Sequence, residues 1–388
     1  MVDCSNSRLN HDLSALFFIT NGVAVKKLLV GGAVRDKLLG IPRNEHSEQD
    51  WVVLGESPES MLEHGFKQVG KAFPVFLHPA TGQEYALARK EQNTGPGHQN
   101  FTFDTRPDVT LEEDLYRRDL TINAMAEDAQ GTIFDPYGGQ IDLRDRLLRH
   151  VSTAFDEDPL RVFRLARFYA RFRSFGFEVH DQTRLLCQNM VRRGDLNDLS
   201  SERIFMELEK AMKTEHPEKF FVFIRDIGAA NQLWPELTEA GISRLSLLPN
   251  DLEPAQKFAS LCEGLGEASL KNINSKIKMP KYWQELNLLL ARYSEQLINP
   301  DTNSAAQIVS TLEHMDARRK PERFEKILQL IQVIQPKPSN ETTTKWRKWQ
   351  ALSAATKTKN LSPGLTGPEI KAALRALLIE IIANDLHG

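Results

Sequence analysis

The feature that most constrains this chain is a change of hydrophobic period near Val151. Before it, short β-rich runs ("KKLLVGG", "DWVVLG", "EYALAR", "TIFDPYG") alternate with helical patterns ("AVRDKLLG", "SPESMLEHGF", "DLTINAMAEDA"). After it, "DPLRVFRLARFYARFRSF", "QTRLLCQNMVRR", "SSERIFMELEKAMK" and "PEKFFVFIRDIG" repeat apolar residues at helical spacing, and strand signals almost vanish. A period of two buries one face of a sheet, whereas a period near 3.6 buries a helical stripe. The chain is therefore expected to join an α/β or α+β part to an all-helical part. Its 388 residues allow two or three domains. "KEQNTGPGHQNFTFDTRPDVTLEED" reads as a mobile loop, and "QPKPSNETTTK" as a linker before a last helical tail.

The formal net charge of -3 advertises no nucleic-acid partner, so any such partner must be held by a local basic patch. Cys4, Cys187 and Cys262 are far apart and match no zinc spacing, as expected of free thiols in a reducing cytoplasm. "LSALFFITNGVAV" is apolar, but Asn21 and Gly22 interrupt it and no small-residue cleavage site follows. It is too short to span a bilayer, so we expect a cytoplasmic protein with no membrane partner, whose fold signal begins at Lys26 and Lys27.

The stretch "LLVGGAVRDKLLGIPRNEHSEQDWVVLG" carries the first candidate chemistry. Gly31 and Gly32 precede a helix, where backbone N–H groups can approach a phosphate, and Arg35 lies on the first turn. Glu48 and Asp50 alternate along a strand and so share a face. Two neighbouring carboxylates stay ionised together only with cations between them, which makes the pair a candidate Mg²⁺ site. "LEEDLYRRDLTINAMAED" places Arg117, Arg118 and Asp119 ahead of Asn123 at the start of a helix. "DEDPLRVFRLARFYARF" sets Arg161, Arg164 and Arg167 at spacings of three on a helix that begins at Glu157 and Asp158. Taken singly, such arginines cover apolar surface and pair with nearby acids.

Together, "LVGGAVRDKLLGIP" with its acidic pair, "RRDLTINA", "DPYGGQIDLRDRLLR", "EDPLRVFRLARF" and "SERIFMEL" resemble the class II tRNA nucleotidyltransferases, the bacterial CCA-adding enzymes of the polymerase β superfamily. The resemblance implies an α/β (α+β) nucleotidyltransferase head followed by all-α neck, body and tail. Its expected bounds are an N-terminal extension over 1–26, head 27–150, neck 151–215, body 216–335 and tail 336–388. It implies addition or repair of the 3′-terminal CCA of tRNA from CTP and ATP by two-metal nucleotidyl transfer, with tRNA as partner, no DNA partner, and a monomer or dimer. Glu48 and Asp50 would be catalytic and hold Mg²⁺. Gly32, Arg35, Arg118, Asp158, Arg161, Arg164 and Arg167 would bind nucleotide, with Asp158 and Arg161 reading the base. Glu84 in "GQEYALAR" is a further carboxylate on a neighbouring strand.

The chain departs from the family at "EQD", where Glu48 stands in place of Asp after an insertion in "RNEHSE". Longer relatives carry an HD phosphohydrolase site; here Glu263 and Gly264 of "FASLCEGLGE" fall at the matching place, and no phosphohydrolase is expected. The other functions open to these motifs are a poly(A) polymerase, a CC-only or A-only enzyme, or a tRNA-binding paralogue impaired by its Glu-x-Asp pair. "EDPLR" and the long loop favour full CCA addition, and the absence of a long basic C-terminus disfavours poly(A) synthesis. Basic runs in "MVRRGD", "ARRKPERFEK" and "KWRKWQ" are candidates for phosphate contact. Replacing Asp50 by alanine is expected to abolish nucleotide incorporation into tRNA lacking its end while leaving the circular-dichroism melt unchanged; an unchanged incorporation rate would remove the metal assignment.

Overall fold

The short apolar runs in "KKLLVGG" and "DWVVLG" form two central strands whose residues are buried on both faces. The computed structural model describes residues 19–20, 23–24, 26–42, 49–69, 75–93, 101–334, 340–358, 361 and 366–387. The chain forms two units, Met1–Leu199 and Ser200–Gly388. In the first, β1 (Ile19–Thr20) pairs with β2 (Val23–Ala24), and a seven-stranded sheet follows. Its strands are β3 (Lys26–Val30), β4 (Asp50–Leu54), β5 (Lys67–Val69), β6 (Val75–Leu77), β7 (Glu84–Leu87), β10 (Ala126–Glu127) and β11 (Ile133–Phe134), in the order β11-β10-β3-β4-β7-β6-β5. β4 and β7 are parallel, and the other pairs of this sheet are antiparallel.

Val52 and Val53 point to opposite faces, and each face has its own core. Leu28, Val30, Val52 and Ala88 meet Val109, Leu115, Ala124 and Ala126 on one side. Val53, Tyr85 and Leu87 meet Met61, Phe66 and Phe76 on the other. The helices of this unit are α1 (Gly32–Leu38), α2 (Pro58–Glu63), α3 (Leu111–Tyr116), α4 (Gly139–Asp145), α5 (Leu160–Phe172) and α6 (Asp181–Arg193). Thr110 starts α3 through a capping box with Glu113.

Three sequence expectations are corrected here. The stretch read as an irregular loop forms, in its described part, a hairpin of β8 (Lys90–Asn93) and β9 (Phe101–Asp104), followed by α3; the tip, 94–100, lies outside the described residues. "DLTINAMAEDA" is no helix: Thr121–Asn123 form a 3₁₀ turn that leads into β10. Thr121 to Ala126 are buried without interruption, so the segment has no solvent face to give it a helical stripe. The neck helix begins at Leu160 rather than at Glu157, because Pro159 forces Asp158 into an extended conformation. A short parallel pair, β12 (Leu147–Leu148) with β13 (Glu178–Val179), also escaped the reading.

The second unit is helical, as expected. It runs through α7 (Ser201–Met212), α8 (Glu218–Asp226), α9 (Ala229–Leu233), α10 (Glu239–Leu245), α11 (Pro254–Leu261) and α12 (Glu267–Ile277). It continues through α13 (Lys281–Ile298), α14 (Ala305–His314), α15 (Pro321–Ile334), α16 (Asn340–Ala355) and α17 (Gly367–His387). Trp346 and Trp349 meet edge to face in its core, and Trp346 Nε1 donates to the Leu297 carbonyl at 3.0 Å. Glu263 follows α11 and pairs with Arg244 at 2.8 Å. Much of the basic surface noted in the sequence is matched by acids: Arg319 pairs with Asp316, Arg347 with Glu325 and Lys348 with Asp385. Among the described residues no helix is long and apolar enough to cross a membrane.

Gly139 opens α4 against the 3₁₀ turn, and a Cβ there would stand 2.4 Å from the Thr121 carbonyl oxygen and 2.9 Å from Met125 Cγ. Gly139→Ala is therefore expected to cost about 1–3 kcal/mol, read as a lowered melting temperature. Gly367→Ala, where a Cβ meets nothing within 4 Å, should leave the melt in place.

Candidate active site

The site grows from the end of β3. Val30 pairs with Asp50, so the turn that leaves β3 lies beside the start of β4. Gly31 takes φ 71° and donates its N–H to the Met125 carbonyl at 3.1 Å. An L side chain rarely adopts that backbone, and a Cβ there would stand 3.0 Å from Arg118 Nη1. The glycine thus lets the Arg118 guanidinium lie over the turn. Asp50 is exposed on the first position of β4 and shares a face with Val52. Trp51 pairs with Tyr85 in the parallel β4–β7 ladder, which places Asp50 and the exposed Glu84 at neighbouring positions on one face. Gln83 donates to Gln49 at 3.2 Å one step earlier in the same register. Glu48 lies outside the described residues.

Among the described residues no group of three or more His, Cys, Asp or Glu side chains gathers as a metal cage. The exposed oxygens of Asp50 and Glu84 still suit a hard cation such as Mg²⁺, which takes one or two carboxylates and completes its shell with water and phosphate oxygens.

Behind the turn, two buried aspartates hold the arginines. Asp114 on α3 is 0% exposed; its Oδ1 accepts Arg117 Nη2 at 2.6 Å and its Oδ2 accepts Arg118 Nη2 at 3.2 Å. The spacings are i,i+3 and i,i+4. Asp114 Oδ1 also accepts the Arg89 N–H at 3.3 Å, beside the first residue of β8. Burial alone would raise the Asp114 pKa, but Arg117 and Arg118 outweigh it and hold the carboxyl down at about 2. Asp119 accepts Arg164 Nε and Nη2 on Oδ2, at 2.9 and 2.6 Å, and Asn123 Nδ2 on Oδ1 at 2.9 Å. There too burial opposes ionisation, and the Arg164 and Asn123 contacts hold the group well below the usual carboxylate range.

The expected nucleotide-binding residues separate in this geometry. Arg118, Arg161 and Arg164 converge on the "RRD" segment. Arg161 is 8% exposed and donates Nη1 to the Ala154 carbonyl and Nη2 to the Arg117 carbonyl, each at 2.5 Å. Asp158 Oδ1 accepts the Leu160 N–H at 3.1 Å. Arg167 lies over the Phe168 ring, 4.0 Å from its centroid. Arg35 is 2% exposed: Nη1 donates to Asn123 Oδ1, Nε to Asp36, and the guanidinium lies over Phe172 and Phe168. Burial lowers its pKa to about 10. Asp36 in turn accepts Arg171 at 2.9 Å. Arg35 is thus the joint between α1 and the neck helix α5. Gly32 opens α1, and a Cβ there would stand 3.1 Å from Arg35 Nη2. Sequence reasoning missed Asp114 altogether and gave Asp119 and Asn123 no role; the acid-to-arginine spacing within "EEDLYRRD" was the available signal.

Residues 27–149 match the family model "Poly A polymerase head domain", and residues 176–240 match "Probable RNA and SrmB- binding site of polymerase A". The first unit thus carries a nucleotidyltransferase head. A multifunctional CCA protein of Pseudomonas putida is 43% identical over 371 residues, covering 92% of this chain and 99% of that one. A CCA-adding enzyme of Coxiella burnetii is 40% identical over 365 residues, 92% and 95% of the two chains. The Bacillus stearothermophilus CCA-adding enzyme, solved in complex with CTP, superposes with a TM-score of 0.67 at 26% identity, covering 93% of this chain and 89% of that one. The chain belongs to the CCA-adding tRNA nucleotidyltransferases, as its motifs led us to expect.

The Asp114 carboxyl, at about 2 against 3.8 ordinarily, contributes stability that is present above the unfolded value and lost as pH falls through the folded one. Its share is about 2 kcal/mol. Denaturant melts between pH 5 and 2 should therefore fall less steeply for Asp114→Asn than for the parent; equal slopes would contradict the pairing.

Proposed function

We propose that this chain builds or repairs the 3′-terminal CCA of tRNA from CTP and ATP without a nucleic-acid template, with Glu48 and Asp50 holding two Mg²⁺ ions. The observation that carries this reading is that Arg118, held by Asp114, lies over the Gly31 turn, and that this turn leaves β3 beside Asp50 at the start of β4. The named activity of relatives at 40–43% identity supports it.

In this reading Gly32 and Arg118 receive the triphosphate, and Arg35 supports the turn from behind. Mg²⁺ held at the acidic face would make the tRNA 3′-hydroxyl more acidic and neutralise the departing pyrophosphate. Glu84, a neighbour of Asp50 in the parallel ladder, would add a carboxylate to that face. Arg164 bears on the nucleotide through Asp119, and Arg167 completes the row on α5. Asp158 and Arg161 read the base. Cytosine and adenine each present an amino donor beside a ring-nitrogen acceptor, which match an aspartate acceptor and an arginine donor. Uracil and guanine would set acceptor against acceptor and donor against donor, at a cost of about 1–3 kcal/mol for each group left unpaired.

The division into extension 1–26, head 27–150, neck 151–215, body 216–335 and tail 336–388 belongs to the same proposal, as do a cytoplasmic setting, a monomer or dimer, and tRNA rather than DNA as partner. The test is purified protein with tRNA lacking its terminus, Mg²⁺, and each of the four triphosphates alone and together. CTP followed by ATP should be incorporated and then stop; repeated ATP addition would indicate poly(A) synthesis, and no transfer an impaired paralogue. Asp158→Ala should weaken discrimination against UTP and GTP more than it slows transfer, and Arg161→Ala should impair CTP and ATP together. Losses with no relative gain for UTP or GTP would mean that the pair positions α5 rather than reads bases.

A further inference from the structure

We propose that Asp114 is a positioning residue that sets the triphosphate arginine, the base-reading arginine and the foot of the β8–β9 hairpin from one buried carboxylate; this rests on the function proposed above. One oxygen takes Arg118, whose other η nitrogen lies over the Gly31 turn. The second oxygen takes Arg117, whose main-chain carbonyl receives Arg161. That same oxygen accepts the Arg89 N–H, where the chain enters the hairpin. The neighbouring Glu113 adds an ion pair to Lys90 at 2.6 Å, so two consecutive residues of α3 grip the hairpin's first strand and its approach.

The chemistry explains why one residue does all three. Asp114 is fully buried, so its charge is unscreened by water, and its two oxygens offer about four lone-pair sites. Charge-assisted bonds to two guanidiniums and a backbone bond take three of them in fixed directions. An arginine on a partly exposed surface would otherwise sample many rotamers. Held from behind, Arg118 presents Nη1 at the turn before any ligand arrives, which reduces the ordering cost of binding. A shift of α3 would move the hairpin foot and both arginines together.

Asp114→Asn keeps an acceptor for Arg89 but removes the charge shared with Arg117 and Arg118. It should lower kcat/KM for CTP and ATP by about tenfold, mainly through KM, as expected when a group supporting a contact residue is lost. A loss of packing alone could also lower activity, so the deciding measurement is a double-mutant cycle with Arg118→Gln. If Asp114 acts through Arg118, the Asp114→Asn loss shrinks to within about threefold in the Arg118→Gln background. Equal proportional losses in both backgrounds would overturn the proposal. Should Asp114→Asn fail to fold, the cycle is run with Asp114→Glu, which keeps the charge one methylene out of place; the same two outcomes decide it. CTP dissociation constants from titration calorimetry, taken for the same variants, separate this inference from the function it rests on. A parent protein that binds CTP but transfers nothing to tRNA would sink the proposed function, while the cycle in CTP affinity would still judge Asp114.

Discussion

A buried carboxylate that faces two guanidiniums is the interaction on which the first unit depends. Asp114 and Asp119 both lie where ionisation costs several kcal/mol, and both stay ionised because arginines meet them at hydrogen-bond distance. Once these acids are fixed, little else is free to move: α3, the 3₁₀ turn, α1 and α5 are each tied to one or both through Arg117, Arg118, Asn123, Arg35 and Arg164. Removing either acid would take from the partly exposed arginines the buried charge that they face, which is more damaging than deleting a fully exposed salt bridge. At the Gly31 turn the Arg118 guanidinium is held from behind by Asp114.

The sheet performs the complementary task. Antiparallel pairing of β3 with β4 sets the glycine turn beside Asp50, and parallel pairing of β4 with β7 sets Glu84 beside Asp50. Opposite charges are thereby brought to neighbouring places from different layers: acids from the strands, and Arg118 from the segment after α3. A polyphosphate with its metal ions needs both.

The architecture was legible because hydrophobic period is a local signal: the strands at "KKLLV" and "DWVVL" and the helices of the second unit follow from it directly. One failure lies where burial is complete. Thr121 to Ala126 carry no amphipathic stripe since every residue is inside, so their order gave no hint of a 3₁₀ turn and strand. The site arginines were legible as charges but not as partners. Arg35 was expected to meet nucleotide from a first helical turn, and only tertiary packing shows it buried against Phe168 and Phe172. The i,i+3 and i,i+4 links from Asp114 were local enough to be read, whereas Arg164 to Asp119 spans 45 residues and no periodicity announces it.

Arg161 donates to oxygens of the main chain at positions 154 and 117. Every amino acid supplies the same carbonyl, so an exchange at 154 leaves that contact in being so long as the backbone keeps its path, whereas at 117 the bond from the side chain to Asp114 helps to set where the carbonyl lies. Insertions and deletions are another matter. A single residue gained or lost between 117 and 154 displaces one oxygen relative to the other, and the guanidinium cannot follow both. For these two contacts, mutational tolerance is therefore governed by chain length as well as by residue identity.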